Sequence, residues 1–302
     1  MSFDLNGKVA IVTGAGRGLG RSHALALAAR GARVVVNDLA EHGADSESAR
    51  AVVREIRAKG GSAIANGANV ANFEQVKSMV DAVVAKWDRV DILVNNAGML
   101  RDKTFSKMSI DDFRLVIDVH LMGSVNCTKA VWARMCQQNY GRIVLTSSSS
   151  GLYGNFGQSN YGAAKMAMLG FMNTLHLEGK KYNVRVNCLA PTAGTAMTKG
   201  LFPEAVFELM TPDSVSPAVV FLCASDAPSR KVVAAGGGSF AVYKGFETEG
   251  ISLAPENVSA EGIAAAWEAI NAEAGMRELG SGFEQPTKFA MQAARKLGLD
   301  LT

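Results

Sequence analysis

The chain has 302 residues, 48% hydrophobic and 20% charged, enough apolar surface for a sizeable core and room for one large domain or two small ones. Its net charge is +3 and no Lys/Arg block occurs, which argues against a nucleic-acid partner. No apolar run approaches the roughly eighteen residues of a membrane span, so no membrane partner is expected.

The opening "MSFDLNGKVAIVTGAG" carries acid early and runs straight into a strand pattern, unlike a secretory leader. The ending "LGLDLT" matches no address signal. Strand-like runs follow at 8–14, 32–38, 61–66, 90–98, 141–148, 183–191 and 237–243. Helical patterns occupy 18–30, 45–59, 73–87, 109–138 and 159–181 between them. The strands are nearly continuous apolar runs, as expected when both sheet faces are covered. Strand–helix alternation of this kind predicts an α/β fold, a Rossmann-type doubly wound parallel sheet. All seven prolines lie at or after Pro191, so regular βα units should give way to loops there. The catalytic, dinucleotide-binding domain is expected over 1–243. Residues 244–302 are expected to be a helical extension that packs on that domain or on a second subunit. Within it, Ser259 suits a helix cap, and Ile263, Trp267 and Ile270 form one stripe.

"VTGAGRGLG" follows the first strand and opens a helix, with glycines at Gly14, Gly16, Gly18 and Gly20. Glycine allows a tight turn and close approach to a pyrophosphate, and the helix start presents free N–H groups to it. The spacing is T-G-x-x-x-G-x-G. The next strand ends at Asp38, placed to hold the adenosine ribose hydroxyls and to repel a 2′-phosphate. At contact that repulsion is on the order of 1–4 kcal/mol. Arg17, inside the turn, argues for the phosphate instead. The expected cofactor is therefore NAD, with NADP possible.

Tyr161 and Lys165 stand four apart, on one face of the helix that starts near Ser159. An ammonium and a nicotinamide cation beside the phenol should lower its pKa, which fits it to exchange a proton with an alcohol oxygen. The strand ending in "TSSSS" sets Ser148 at the carboxyl edge of the sheet, where ligands bind in such folds. By spacing alone the pair is equally well a surface pair.

Thr13-Gly14-x-x-x-Gly18-x-Gly20, Asn95-Asn96-Ala97-Gly98, Ser148 and Tyr161-x-x-x-Lys165 occur in this order, and over about residues 5–243 the chain resembles the short-chain dehydrogenase/reductase family. The resemblance implies Ser148 as orienter of the substrate, Tyr161 as general acid/base and Lys165 as ribose anchor and pKa tuner. It implies that Asn95, Ala97 and Gly98 line the adenine–ribose side and support the central strand. It extends the cofactor-binding set to Leu19, Asn69, Val70, Asn96, Pro191, Ala193 and Thr195, with Thr192 beside them. "VVVND", "NNAGMLRDKTFSKMS" and "NCLAPTAGTAMT" look like the (3R)-hydroxyacyl-CoA dehydrogenase branch of that family. That likeness implies NAD-linked oxidation of a 3-hydroxyacyl thioester. A hydroxysteroid dehydrogenase, an NADP-linked 3-oxoacyl reductase and a dinucleotide-sensing regulator are the alternatives.

His120 stands where most members have an asparagine that helps connect the lysine to solvent. Histidine can donate and accept, so it is either part of such a relay or a satisfied core residue. Leu100, Leu152, Tyr153, Phe156 and Met197 are candidates for an acyl channel, or simply core. Arg101, Lys103 and Lys199 are candidates for CoA phosphates, or solvated charge. The four cysteines (Cys127, Cys136, Cys188, Cys223) are far apart, and with four scattered histidines (His23, His42, His120, His176) they suggest no metal and a reducing, cytoplasmic setting. The helices over 109–138 and 159–181 are apolar on more than one face, which predicts a homodimer or homotetramer.

Overall fold

A computed structural model describes residues 3–40, 46–195 and 203–299. His42, Met197 and Lys199 lie outside the described residues. The chain divides into two compact units, Met1–Val242 and Tyr243–Thr302.

The first unit is built on alternating strands and helices. β1 (Val9–Val12), α1 (Gly18–Ala28), β2 (Arg33–Asn37), α2 (Glu47–Ala58), β3 (Ser62–Asn66), α3 (Phe73–Trp87) and β4 (Ile92–Asn95) make its first half. α4 (Ile110–Ile117) runs through a π-helical turn at Asp118–Met122 into α5 (Gly123–Gln137), followed by β5 (Gly141–Thr146). α6 (Ser149–Tyr153), α7 (Ser159–Gly179), β6 (Val184–Pro191), α8 (Glu204–Leu209), α9 (Ser216–Cys223), β7 (Val232–Gly236) and β8 (Ser239–Tyr243) complete the sheet and its cover.

The eight strands form one sheet in the order β3-β2-β1-β4-β5-β6-β7-β8. Pairing is parallel from β3 through β7, with Val12 opposite both Val36 and Val94. Gly237 and Gly238, both at positive φ, join β7 to β8, a connection that fits only a hairpin. β1, β4 and β5 are buried along their whole length, as strands covered on both faces must be. β8 departs from that rule and lies largely exposed, because it is the last strand of the sheet. β7 lies outside the strand-like runs expected from the sequence, which pass from 183–191 to 237–243.

Strand order reverses between β1 and β4. The loops after these two strands therefore part there and leave a crevice at the carboxyl edge of the sheet. The helix expected over 109–138 is interrupted within that neighbourhood by the π turn. Ser124 Oγ donates to His120 O at 2.7 Å there, in place of a regular helical ladder.

The second unit holds α10 (Ala260–Ala265), α11 (Trp267–Ile270) and α12 (Glu284–Lys296). Ser259 caps α10 by accepting from Gly262 N. The single helix expected there breaks at Ala266, and Ile263 and Trp267 are exposed within the chain. Lys288 is buried and donates to Glu247 and, at 2.9 Å, to Thr248 O, tying α12 to the start of this unit. No helix among the described residues is long and apolar enough to cross a membrane.

Candidate active site

The glycine turn is closed by Thr13. Its Oγ1 accepts from Asn96 N and Ala97 N, each at 3.0 Å. Asn96 Nδ2 returns donors to Thr13 O at 2.9 Å and Gly14 O at 3.1 Å. The side chain of Asn96 is thus committed to shaping the turn. Gly14 and Gly18 adopt positive φ, 61° and 53°. A Cβ on Gly20 would stand 2.2 Å from Gly14 O. At Gly18 an ideal Cβ would make ordinary contact, with Thr195 Cγ2 at 3.6 Å. Arg17, exposed, precedes the first helical residue of α1 and makes no side-chain cap bond, so the first turn of the helix faces the cradle without a cap. Leu19 is half-buried beside it. A shaped, uncapped cradle of this kind fits a dinucleotide pyrophosphate.

Around it stand the other expected residues. Asp38 follows β2, and its Oδ2 accepts from Ser48 Oγ at 2.6 Å. Asn69 and Val70 form the turn into α3. Asn69 Oδ1 accepts from Ala71 N at 3.0 Å, and Val70 O accepts from Asn126 Nδ2 at 2.9 Å. Asn95 is buried and donates to Thr128 Oγ1 at 3.3 Å, which places its side chain on α5. Gly98 lies against the His120 ring. Pro191 ends β6 and Ala193 is buried just beyond it. Thr195 brings this segment back to Gly18.

Ser148, Tyr161 and Lys165 come together where β5 ends. Ser148 caps α6, accepting from Ser150 N at 3.2 Å, and its hydroxyl lies close enough to the Tyr161 phenol to favour the phenolate. Lys165 Nζ lies 5.5 Å from the centre of the Tyr161 ring. It donates to Thr146 O at 2.7 Å, while Ser147 Oγ donates to Lys165 O at 2.8 Å. The lysine is therefore held at both its amine and its backbone by the end of β5. Asn160, fully buried, accepts from Tyr161 N at 2.7 Å and donates to Arg101 O at 3.1 Å, which sets the start of α7.

In the chain by itself the Tyr161 pKa is raised, because burial outweighs the opposing influence of Ser148 and Asp102 adds to the rise; the expected lowering counts a nicotinamide cation as well. Lys165 does not reverse this, since burial pushes its own pKa down to about 7. Both shifts have one cause: a dry site disfavours either charge.

The lysine shift predicts a stability dependence with a definite sign. An unfolded lysine titrates near 10.5 and the native one at about 7, so across that window the unfolded chain binds the extra proton. Native stability should rise with pH over it. Relative to Lys165→Met, the wild type should gain about 2–4 kcal/mol between pH ~7 and pH ~10, at about 1.4 kcal/mol per unit. Urea denaturation of both proteins across that range checks this, and a pH-independent difference refutes it.

His120 sits in the π turn, its ring edge-on to Tyr161 with centroids 5.1 Å apart. Its Nε2 meets the Met99 backbone, 2.8 Å from O and 3.1 Å from N, so the tautomer decides which bond forms. Nδ1 is buried and has no partner among the described residues. Burial, then the Lys165 charge, hold the imidazole neutral, with a pKa lowered to about 3.

Of the acyl-channel candidates, Leu100 and Leu152 are half-buried, whereas Tyr153 and Phe156 are exposed. Lys103 pairs with Asp112 at 3.0 Å and Arg101 lies 3.8 Å from the same carboxylate. Sequence reasoning missed Thr146, Ser147, Asn160 and Ser48. Thr146, Ser147 and Asn160 stand within two positions of motif residues, but nothing in the sequence names their partners; Ser48, ten positions from Asp38, carries no such signal.

Residues 8–205 match the family model described as short chain dehydrogenase. The chain belongs to this family. It is 49% identical over 227 residues to the peroxisomal multifunctional enzyme type 2 of Mus musculus, a match that covers 74% of this chain and 30% of the mouse protein. Its structure is similar to that of the full-length peroxisomal multifunctional enzyme type 2 of Drosophila melanogaster, with a TM-score of 0.82 and 36% identity over 97% of this chain and 50% of that one. A 7α-hydroxysteroid dehydrogenase solved with NADH and 7-oxo glycochenodeoxycholic acid also matches, at a TM-score of 0.71 and 29% identity over 78% of this chain and 96% of that one. The chain thus spans a third to a half of the multifunctional enzymes it resembles. Like other short-chain dehydrogenases, it is an oxidoreductase that acts on CH–OH donors with a nicotinamide dinucleotide.

Proposed function

We propose that this short-chain dehydrogenase oxidises (3R)-3-hydroxyacyl-CoA to 3-oxoacyl-CoA with NAD. The observation that carries the chemistry is the buried Lys165 amine 5.5 Å from the centre of the Tyr161 ring, with Ser148 beside the phenol where β5 ends. What supports the thioester is the 49% identity to a multifunctional enzyme of the peroxisome. What supports NAD is Asp38 beside the turn.

NAD, when bound, supplies the acceptor for the C3 hydride and a positive ring in the site. Gly14, Gly18, Leu19 and Gly20 hold its pyrophosphate, with Arg17 at the rim. Asp38, Asn69, Val70, Ala97 and Gly98 line the adenosine side, and Pro191, Ala193 and Thr195 the nicotinamide side. Tyr161, as phenolate, takes the proton of the C3 hydroxyl at Oη. Ser148 steadies the substrate oxygen and stabilises the phenolate, which opposes the cost of burial. Lys165 anchors the ribose and adds positive charge. His120, neutral, offers Nδ1 as a hydrogen-bonding group and carries no charge. The assembly is a homodimer or homotetramer, for which the helices apolar on more than one face speak. The four free thiols suit a reducing compartment such as the cytoplasm.

The test supplies NAD or NADP with 3R- and 3S-hydroxyacyl-CoAs of several lengths and with a 7α- and a 17β-hydroxysteroid, and compares kcat/KM by nicotinamide absorbance. The 3R thioester with NAD should lead. A higher value for the 3S thioester or for either steroid overturns the substrate, and a higher value with NADP overturns the cofactor.

A further inference from the structure

The carboxylate at the adenosine end of the cradle is held by a chain of hydroxyls. Asp38 lies against the glycine turn: a Cβ on Gly16 would stand 2.1 Å from Asp38 Oδ2 and 2.3 Å from Ser48 Oγ. Ser48 Oγ donates to Asp38 Oδ2 at 2.6 Å. Ser46 Oγ lies 2.6 Å from Ser48 Oγ. A carboxylate only accepts and a serine has one hydroxyl proton, so Ser46 must be the donor in that second bond. Ser46 is also the N-cap of α2 and accepts from Ala49 N at 3.5 Å. The bonds therefore run in one direction, from the first turn of α2 through two serines to Asp38. The positive end of the helix backs the carboxylate.

We infer that Ser48 is a specificity-determining positioning residue, which fixes the Asp38 carboxylate so that a free ribose diol is accepted and a ribose 2′-phosphate is refused. The inference rests on the NAD reading above. An unheld aspartate can rotate away from an incoming phosphate and lose most of the repulsion that rejects it. Asp38 can yield only by breaking a short bond to an ionised acceptor, a class roughly twice as strong as a neutral hydrogen bond. The same bond leaves one carboxylate oxygen in a set direction for the ribose hydroxyls, so ordering it is not charged to binding. Gly16 adds to the restraint, because its bare Cα packs where any side chain would displace the carboxylate. Ser48 acts through Asp38 and is assigned no contact with the reacting atoms.

The test measures dissociation constants for NAD and NADP by titration calorimetry, with no substrate present. It uses the wild type, Ser48→Ala and Ser48→Thr. The wild type should favour NAD. Ser48→Ala should reduce that preference about tenfold, the size of one charge-assisted bond, while Ser48→Thr, which keeps the hydroxyl, should retain it. A general loss of stability would weaken both ligands alike and leave the ratio unmoved. A ratio in Ser48→Ala within about twofold of wild type, or one shifted further toward NAD, overturns the inference alone. A wild type that favours NADP overturns the NAD reading and this inference together. Should Ser48→Ala not fold, Ser48→Cys, a weak donor of similar size, carries the same expectation.

Discussion

Replacing Tyr161 by phenylalanine is expected to lower kcat by about 10²–10⁴, the range for loss of a positioned general base. The substitution removes one oxygen and little else. The ring keeps its edge-on packing with His120, and Asn160 still accepts from the backbone N–H of residue 161. Ser148 keeps its role as cap of α6. The dissociation constant for NAD should therefore change little, and the loss should fall on the chemical step. Stopped-flow measurement of hydride transfer, with NAD binding measured separately, checks both parts. Turnover like the wild type's would remove Tyr161 from the mechanism. A large loss of NAD binding with an intact chemical step would make it a structural residue.

Gly20→Ala is expected to abolish most dinucleotide affinity while leaving the strands intact. An alanine Cβ at this position would stand 2.2 Å from Gly14 O and 2.5 Å from Asn96 Nδ2. The first of these is backbone and cannot swing aside. The turn and α1 must move apart, which strains the two bonds from Asn96 Nδ2 to Thr13 O and Gly14 O. Overpacking of this kind costs about 1–3 kcal/mol, or roughly 5- to 150-fold in affinity if the cost falls on the bound geometry. Calorimetric titration with NAD measures it, and thermal unfolding shows how much falls on stability instead. Affinity within about twofold of wild type would show that the turn relaxes without disturbing the cradle. Gly18→Ala offers a contrast: there the strain is of backbone conformation, at φ 53°, since the new Cβ would meet Thr195 only at ordinary contact distance.

The sheet was legible because its signal is local. The runs at 8–14, 32–38, 61–66, 90–98, 141–148 and 183–191 each hold an observed parallel strand, β1 to β6, within a few residues. Apolar continuity, bounded by glycine, asparagine or serine, is visible in one dimension. β7 and α9 were less legible. "VVAAG" is short and runs into a glycine pair, and "SPAVVFLC" is apolar on all sides, so neither shows a period. The helix expected over 109–138 met the π turn at Asp118–Met122, a stretch that holds neither glycine nor proline. In the second unit, the Ile263–Trp267–Ile270 stripe had the period of a single helix, yet the helix breaks at Ala266.

At the site, Tyr161 and Lys165 were paired by helical spacing, and the glycine turn by its place between a strand and a helix. The residues that hold them were not legible, because their partners are remote in sequence. Asn160 reaches Arg101, fifty-nine positions away, and Ser147 reaches Lys165, eighteen away. Nor does a sequence report how dry a site is. The fall expected for the Tyr161 pKa counted an ammonium and a nicotinamide cation, and burial opposes it in the chain itself.

Taken alone, the order of residues determined the α/β class and the parallel sheet through β6, which follow from periodicity, and the shared helical face of Tyr161 and Lys165, which follows from spacing; the roles of that pair came through the resemblance to the short-chain dehydrogenase/reductase family. Folding in three dimensions decided the rest: that Lys165 is pinned to Thr146, that His120 stays neutral with one nitrogen unpartnered, and that Ser48 grips Asp38. These depend on which distant groups share a volume from which water is shut out, and burial of that kind is a property of the packed chain, with no counterpart in any short stretch of it.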